Sequence, residues 1–212
     1  NPDEQMLRDT VKRIGNDFGP SYFLAKARKH EHTAELWQTA ADAGLVGVNL
    51  PEEHGGGGMG ITELAVVAEE FAASGSPLMM IVVSSAICGS VIARFGDAEQ
   101  RTAWLPAMSA GESIFAFAIT EPDAGSNSHA QVSLFVVDTD APGLRKEPIP
   151  VALTLPERQY TLYFDDVRLD DDRLIGEAGD GLRQVFTGLN PERILGAALA
   201  NGVSRYALDR AA

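Results

Sequence analysis

Three observations predict an α+β chain with a β module inserted between two helical parts. Apolar residues recur at helical spacing through residues 1–112. β-branched and aromatic residues gather in three short runs between Ser113 and Val167, and the helical period returns from Asp180 to Ala212.

Taken in order, residues 31–43 place Leu36, Trp37 and Ala40 at helical spacing, and Gly44 follows as a C-terminal cap. Ile61, Leu64, Ala65, Ala68, Phe71 and Ala72 repeat the i, i+3, i+4, i+7 pattern, with Thr62 near the start. Pro77 suits the opening of the next helix, because its missing N–H has no partner to lose in a first turn. Asp97 predicts an N-cap for a helix over 98–110, which stops at Gly111. Residues 113–120 (SIFAFAIT), 131–138 (QVSLFVVD) and 158–167 (RQYTLYFDDV) read as strands. Pro, Gly and Asp mark turns at 140–143, 148–150 and 170–172. The last stretch carries Val185, Phe186, Leu189, Ile194, Leu195, Ala198, Val203 and Leu208, an apolar stripe for which the sequence offers no further helix as cover. The expected parts are 1–112, 113–178 and 179–212.

Composition narrows the function classes. Lys and Arg number 17 against 30 Asp and Glu, a formal charge of −13, and the pI lies near 4.6. Nucleic acid or an anionic membrane needs a basic face, so neither is an expected partner. The single cysteine, Cys88, excludes an intrachain disulfide and a cysteine-cluster metal site. No basic run leading into an apolar stretch opens the sequence, and the expected location is cytoplasmic. Between Glu70 and Arg94 lie 23 residues without a charge, but serines at 74, 76, 84, 85 and 90 with Gly75, Pro77 and Gly89 dilute them. A membrane span wants about 20 predominantly apolar residues; a helix buried among other helices fits better.

Most short motifs read as structure. Gly55, Gly57 and Gly60 match G-x-G-x-x-G, but Pro51-Glu52-Glu53-His54 stands where a dinucleotide fingerprint needs a strand, so a flexible interhelical turn is expected. Asp165-Asp166 and Asp170-Asp171-Asp172 read as solvated turns without metal-ligand spacing. His30, His32, His54 and His129 are scattered, with no nucleophile motif beside them. The informative stretch is 115–128, FAFAITEPDAGSNS. There an apolar run opens into a tight turn with Gly125 and the hydroxyls of Thr120, Ser126 and Ser128, a build suited to a ligand with carbonyls or phosphates.

Residues 117–126 closely resemble the signature of the acyl-CoA dehydrogenase family, an aromatic and small residues followed by Thr-Glu-Pro and Ala-Gly-Ser. Residues 43–58 (AGLVGVNLPEEHGGGG), 164–181 (FDDVRLDDDRLIGEAGDG) and 188–202 (GLNPERILGAALANG) resemble the same family in the same order. The resemblance implies an N-terminal helical domain, a middle β-barrel-like domain and the start of a C-terminal helical bundle. It also exposes gaps. The family's β segment with a Trp and a Ser/Thr beside the flavin has no counterpart after Ala130, so a segment is expected to be missing at 130/131, and most of the C-terminal bundle is lacking.

What the resemblance implies about chemistry is specific. The family uses FAD to desaturate acyl-CoA thioesters between Cα and Cβ. A carboxylate takes the α-proton, the β-hydrogen leaves as hydride to the flavin, and an electron-transferring flavoprotein collects the electrons. Carried over, Phe117, Ala118, Ile119, Thr120, Gly125 and Ser126 line the flavin, with Ser126 also reaching CoA. Asn190 and Arg193 contact CoA. The residues themselves predict Asn190 as an N-cap and Pro191 as the first helical position. Glu192 then has two readings. It is either a first-turn acid stabilised by the helix dipole or, as in a subset of the family, the catalytic base. Other members place the base farther along, in the C-terminal domain. The resemblance further implies a homo-oligomer, tetramer or dimer. An acyl-CoA oxidase, a flavin monooxygenase on the same fold and a non-catalytic CoA- or partner-binding subunit stand as alternatives.

Overall fold

The computed structural model describes residues 2–120 and 132–212. Helix α1 (Pro2–Lys29) buries Val11, Ile14, Phe23 and Ala27 and breaks at Gly19, whose φ of 70° and ψ of 175° precede Pro20. Pro20 cannot donate, and the Gly19 carbonyl at the break accepts instead from Ser76 Oγ at 3.1 Å. Helix α2 (Ala34–Asp42) ends at Gly44, which adopts φ 73°. The Gly44 N–H donates to Ala41 O and the Leu45 N–H to Ala40 O, the paired bonds of a Schellman cap.

The glycine-rich loop is pinned rather than flexible. The N–H groups of Gly55, Gly56, Gly57, Gly58 and Met59 donate to the carbonyls of Glu52, Pro51, Gly47, Leu50 and Val48. Those amides are spent on the protein, which removes the phosphate-cradle reading. A Cβ on Gly56 would lie 2.3 Å from Leu50 O, so the main chains touch there. Helix α3 (Ile61–Ala73) follows. Glu63, rather than Thr62, secures its start, accepting from the Gly60 N–H at 2.9 Å.

The charge-free run forms a π-helix (Ile81–Gly89) that continues into α4 (Ser90–Phe95). Pro77 stands in the connection before its first turn, which begins at Met79. The serines explain themselves: Ser85 Oγ donates to Val46 O, and Asn49 Nδ2 donates to Ser85 O and Ser90 Oγ. Among the described residues no helix is long and apolar enough to cross a membrane. Helix α5 (Ala98–Ser109) carries the predicted cap in full, with Asp97 Oδ1 accepting from Gln100 N–H and Gln100 Oε1 from Asp97 N–H.

The β region departs furthest from expectation. Its described residues form two separate antiparallel pairs rather than a barrel. Strand β1 (Leu134–Phe135) pairs with β4 (Leu174–Ile175), and β2 (Leu144–Pro148) pairs with β3 (Tyr160–Phe164), Leu144 opposite Phe164. Strand β2 falls between two predicted turns and β4 beyond the last, so neither was expected. Residues 113–120 take no regular secondary structure and pair with no strand among the described residues. Gln100 ties this region to the helices, its Nε2 donating to Asp172 O and Leu174 O at 2.7 and 2.8 Å.

Helix α6 (Gly181–Ala211) crosses the α3 and π-helix face and supplies the cover the sequence did not foresee. Val185, Leu195 and Leu199 are buried, while Phe186, Ile194, Val203 and Leu208 stay exposed. Gly188 and Gly202 set the closeness of the packing. A Cβ on Gly188 would lie 2.7 Å from Ile87 Cα, and one on Gly202 would lie 2.2 Å from Glu69 O. The inward part of the stripe, Leu195 with Leu199, packs into this chain's own core of Leu36, Leu64, Phe71 and Ile81.

Candidate active site

The signature stretch enters the described structure through residues 113–120. Phe115 turns inward, its ring edge-on to Trp104 at 6.4 Å, and its N–H donates to Ser84 Oγ at 3.1 Å. Cys88 Sγ donates to Ala116 O at 3.7 Å. Burial pushes that thiol up to about 12. Beyond this point Phe117 is half-buried, and Ala118, Ile119 and Thr120 are exposed. The main-chain groups of Phe117, Ala118, Ile119 and Thr120 meet no hydrogen-bond partner among the described residues. Main-chain N–H and C=O groups without protein partners are donors and acceptors open to a polar ligand. Gly125 and Ser126 lie outside the described residues.

On α6 the structure revises the Asn190 motif. The helix runs unbroken from Gly181, so Asn190 is no N-cap, Pro191 is not a first helical residue and Glu192 is not a first-turn acid. A proline inside a helix costs about 3 kcal/mol. Burying Val185, Leu195 and Leu199 returns roughly 1.5–3 kcal/mol each, which outweighs it. The helix N-terminus also lies too far back to lend Arg193 its N–H groups, so any anion binding there rests on the guanidinium itself.

Glu192 gains a different setting. Val185, Gly188, Leu195 and Leu199 stand at −7, −4, +3 and +7 from it and all are buried, so its Cβ shares their inward stripe. The side chain is nonetheless only half-buried and has no hydrogen-bond or ion-pair partner among the described residues. Asn190 and Arg193 are exposed, likewise without side-chain partners among the described residues.

Adjacent residues of the π-helix touch α6 and the signature stretch: Ile87 packs on Gly188, one helical turn before Glu192, and Cys88 bonds Ala116 O. Ser84 and Cys88 escaped the sequence reading. Their signal was a pair of polar side chains four apart in the charge-free run.

A polar cleft lined by Gln5, Arg8, Asp9, Lys12, Glu69, Glu70 and Arg205 is a weaker candidate, because Glu69 and Glu70 already engage both of its arginines.

Residues 1–112 match the family model for the acyl-CoA dehydrogenase N-terminal domain. Acyl-CoA dehydrogenase FadE12 of Mycobacterium tuberculosis is 46% identical over 253 residues, covering 99% of this chain and 65% of its own length. That alignment is longer than the 212 residues here, so the relative carries segments without a counterpart in this chain. The glutaryl-coenzyme A dehydrogenase complexed with glutaryl-CoA superposes with a TM-score of 0.90 at 24% identity, covering 99% of this chain and 65% of that one. A glutaryl-CoA dehydrogenase from Mycobacterium smegmatis, in complex with FADH2, gives a TM-score of 0.85 at 23% identity, with coverage of 99% and 64%. The chain thus spans about two thirds of the length of these relatives. The family model alone accounts for more than half of the chain, and the chain belongs to the acyl-CoA dehydrogenase family.

Proposed function

We propose that the chain serves an FAD-dependent acyl-CoA dehydrogenase, which converts an acyl-CoA thioester to its 2-enoyl-CoA and passes electrons to an electron-transferring flavoprotein. The observation that carries this reading is the main chain of Phe117, Ala118, Ile119 and Thr120, whose donors and acceptors are unmet among the described residues and suit the pyrimidine edge of a flavin. FAD, when bound, supplies the hydride acceptor. The residues present would hold it through that main chain and the Thr120 hydroxyl, with Gly125 and Ser126 continuing the contact. A segment missing between Ala130 and Gln131 accounts for the family's second flavin-facing strand.

Glu192 is the base proposed for the α-proton, received on a carboxylate oxygen. Its inward position on α6 supports this more than the first-turn reading did. Arg193, exposed on the next residue, presents its guanidinium to the CoA phosphates, for which its planar donors are suited. Ser126 and Asn190 complete the proposed CoA contacts. A homo-oligomer is proposed on the family resemblance alone.

The test is anaerobic titration of the purified protein with acyl-CoAs of graded chain length. Loss of the flavin's yellow absorbance with any of them is the expected result. A protein that carries FAD yet never bleaches overturns the dehydrogenase reading.

A further inference from the structure

We propose that Ser84 and Cys88 are positioning residues for the flavin contact, acting through the main chain of Phe115 and Ala116. The proposal rests on the FAD reading above and assigns this π-helix a task within it.

The geometry is direct. Ser84 and Cys88 stand four apart on the π-helix and share one face. Ser84 is buried, 1% exposed, and its Oγ accepts the Phe115 N–H at 3.1 Å. Cys88 Sγ donates to the carbonyl of the following residue, Ala116 O, at 3.7 Å. Main-chain groups of two consecutive residues are thus held by side chains of one helix, where a strand neighbour would ordinarily hold them. The consequence lies one residue farther on. From Phe117 to Thr120 the main-chain groups meet no partner among the described residues, in a run whose composition favours strand pairing.

Phe115 packed beside Trp104 fixes the roll of the segment, and the two polar bonds fix its height above the helix. Ala118, Ile119 and Thr120 then point their peptide groups in a direction set by Ser84 and Cys88. The π-helix itself fits this task. Its wider turn lets Ile87 meet Gly188 of α6 while the adjacent Cys88 faces Ala116. π-turns recur at functional sites for this kind of re-aiming. Ser84 and Cys88 touch no reacting atom; they set where the touching groups lie.

The experiment compares the purified wild-type protein with Ser84→Ala, Ser84→Thr, Cys88→Val and Cys88→Ser. For each, the FAD dissociation constant, the visible spectrum of the bound flavin and the melting temperature without flavin are measured. Ser84→Ala and Cys88→Val are expected to weaken FAD binding about five- to tenfold, the scale of one hydrogen bond, and to shift the flavin absorbance. Ser84→Thr and Cys88→Ser, which keep the acceptor and the donor, are expected to restore both.

Wild-type protein that binds no FAD overturns the functional reading. FAD-loaded wild type whose Ser84→Ala and Cys88→Val forms keep the same affinity and spectrum overturns this inference alone. Should Ser84→Ala fail to fold, the Cys88→Val and Cys88→Ser pair decides, since valine matches cysteine closely in volume. A lower apo melting temperature with unchanged flavin affinity and spectrum would reduce the pair to packing and count against the proposal.

Discussion

Glu70 of α3 and Arg205 of α6 are joined by two hydrogen bonds, Nη1 to Oε1 at 2.8 Å and Nη2 to Oε2 at 3.3 Å. Arg8 of α1 reaches the same Glu70 at 2.7 Å, so three helices far apart in sequence meet at one carboxylate only 5% exposed. Burial by itself raises the Glu70 carboxyl, but the hydrogen bonds and charges of Arg205 and Arg8 prevail and hold it below its ordinary value. Its ionised form therefore stabilises the fold above pH 4.5, and that contribution is lost as pH falls through the depressed folded value.

Arg205→Ala leaves Glu70 with Arg8 alone and removes both of its hydrogen bonds to Arg205, along with the one from Arg205 to Glu69. Urea unfolding at pH 7 is expected to show a loss of at least about 1.5–3 kcal/mol, shrinking as the pH falls through the depressed folded value of Glu70. A loss that stays constant down to pH 3 would show that Glu70 titrates without regard to Arg205.

Three glycines of one helix should respond in opposite directions. Gly196 has nothing within 4 Å of a built Cβ, so Gly196→Ala is expected to stabilise by about 0.5–1 kcal/mol through helix propensity. Gly202→Ala and Gly188→Ala drive a methyl into the main chain of Glu69 and Ile87 and are expected to destabilise by about 1–3 kcal/mol. Thermal melts of the three variants check the order.

Cys88 should be inert in the native protein. Burial pushes its thiol up to about 12, so almost no thiolate exists at pH 8. Mass spectrometry after iodoacetamide treatment is expected to find it unmodified until denaturant is added. Rapid native alkylation would show that the π-helix face opens on the timescale of the reaction.

Glu192→Gln separates the two roles of the α6 acid. As the base, it should slow flavin reduction in stopped flow by at least about a hundredfold while acyl-CoA binding persists. A rate within about threefold of wild type on that scale moves the base elsewhere. Arg193→Ala is expected to raise KM with kcat less affected, the mark of uniform binding lost.

Where the controlling forces are local, the sequence was legible. The α5 cap reads directly from Asp97 and Gln100, and Gly44 and Gly111 end their helices because φ near 73° and 72° suits glycine. The FAFAIT run announced a special segment through composition, and the family resemblance named its neighbours. Tertiary structure alone decided the rest. Asn190-Pro191 carries every local sign of a helix start, yet the burial of Leu195 and Leu199 against other helices carries α6 straight through it. Residues 113–120 have strand composition, yet the hydroxyl of Ser84 and the thiol of Cys88 bond the main chain at Phe115 and Ala116, and the run pairs with no strand among the described residues. Caps and turns are settled within a few residues by hydrogen-bond geometry. Pairing and burial depend on partners tens of residues away, and no window of sequence contains both partners.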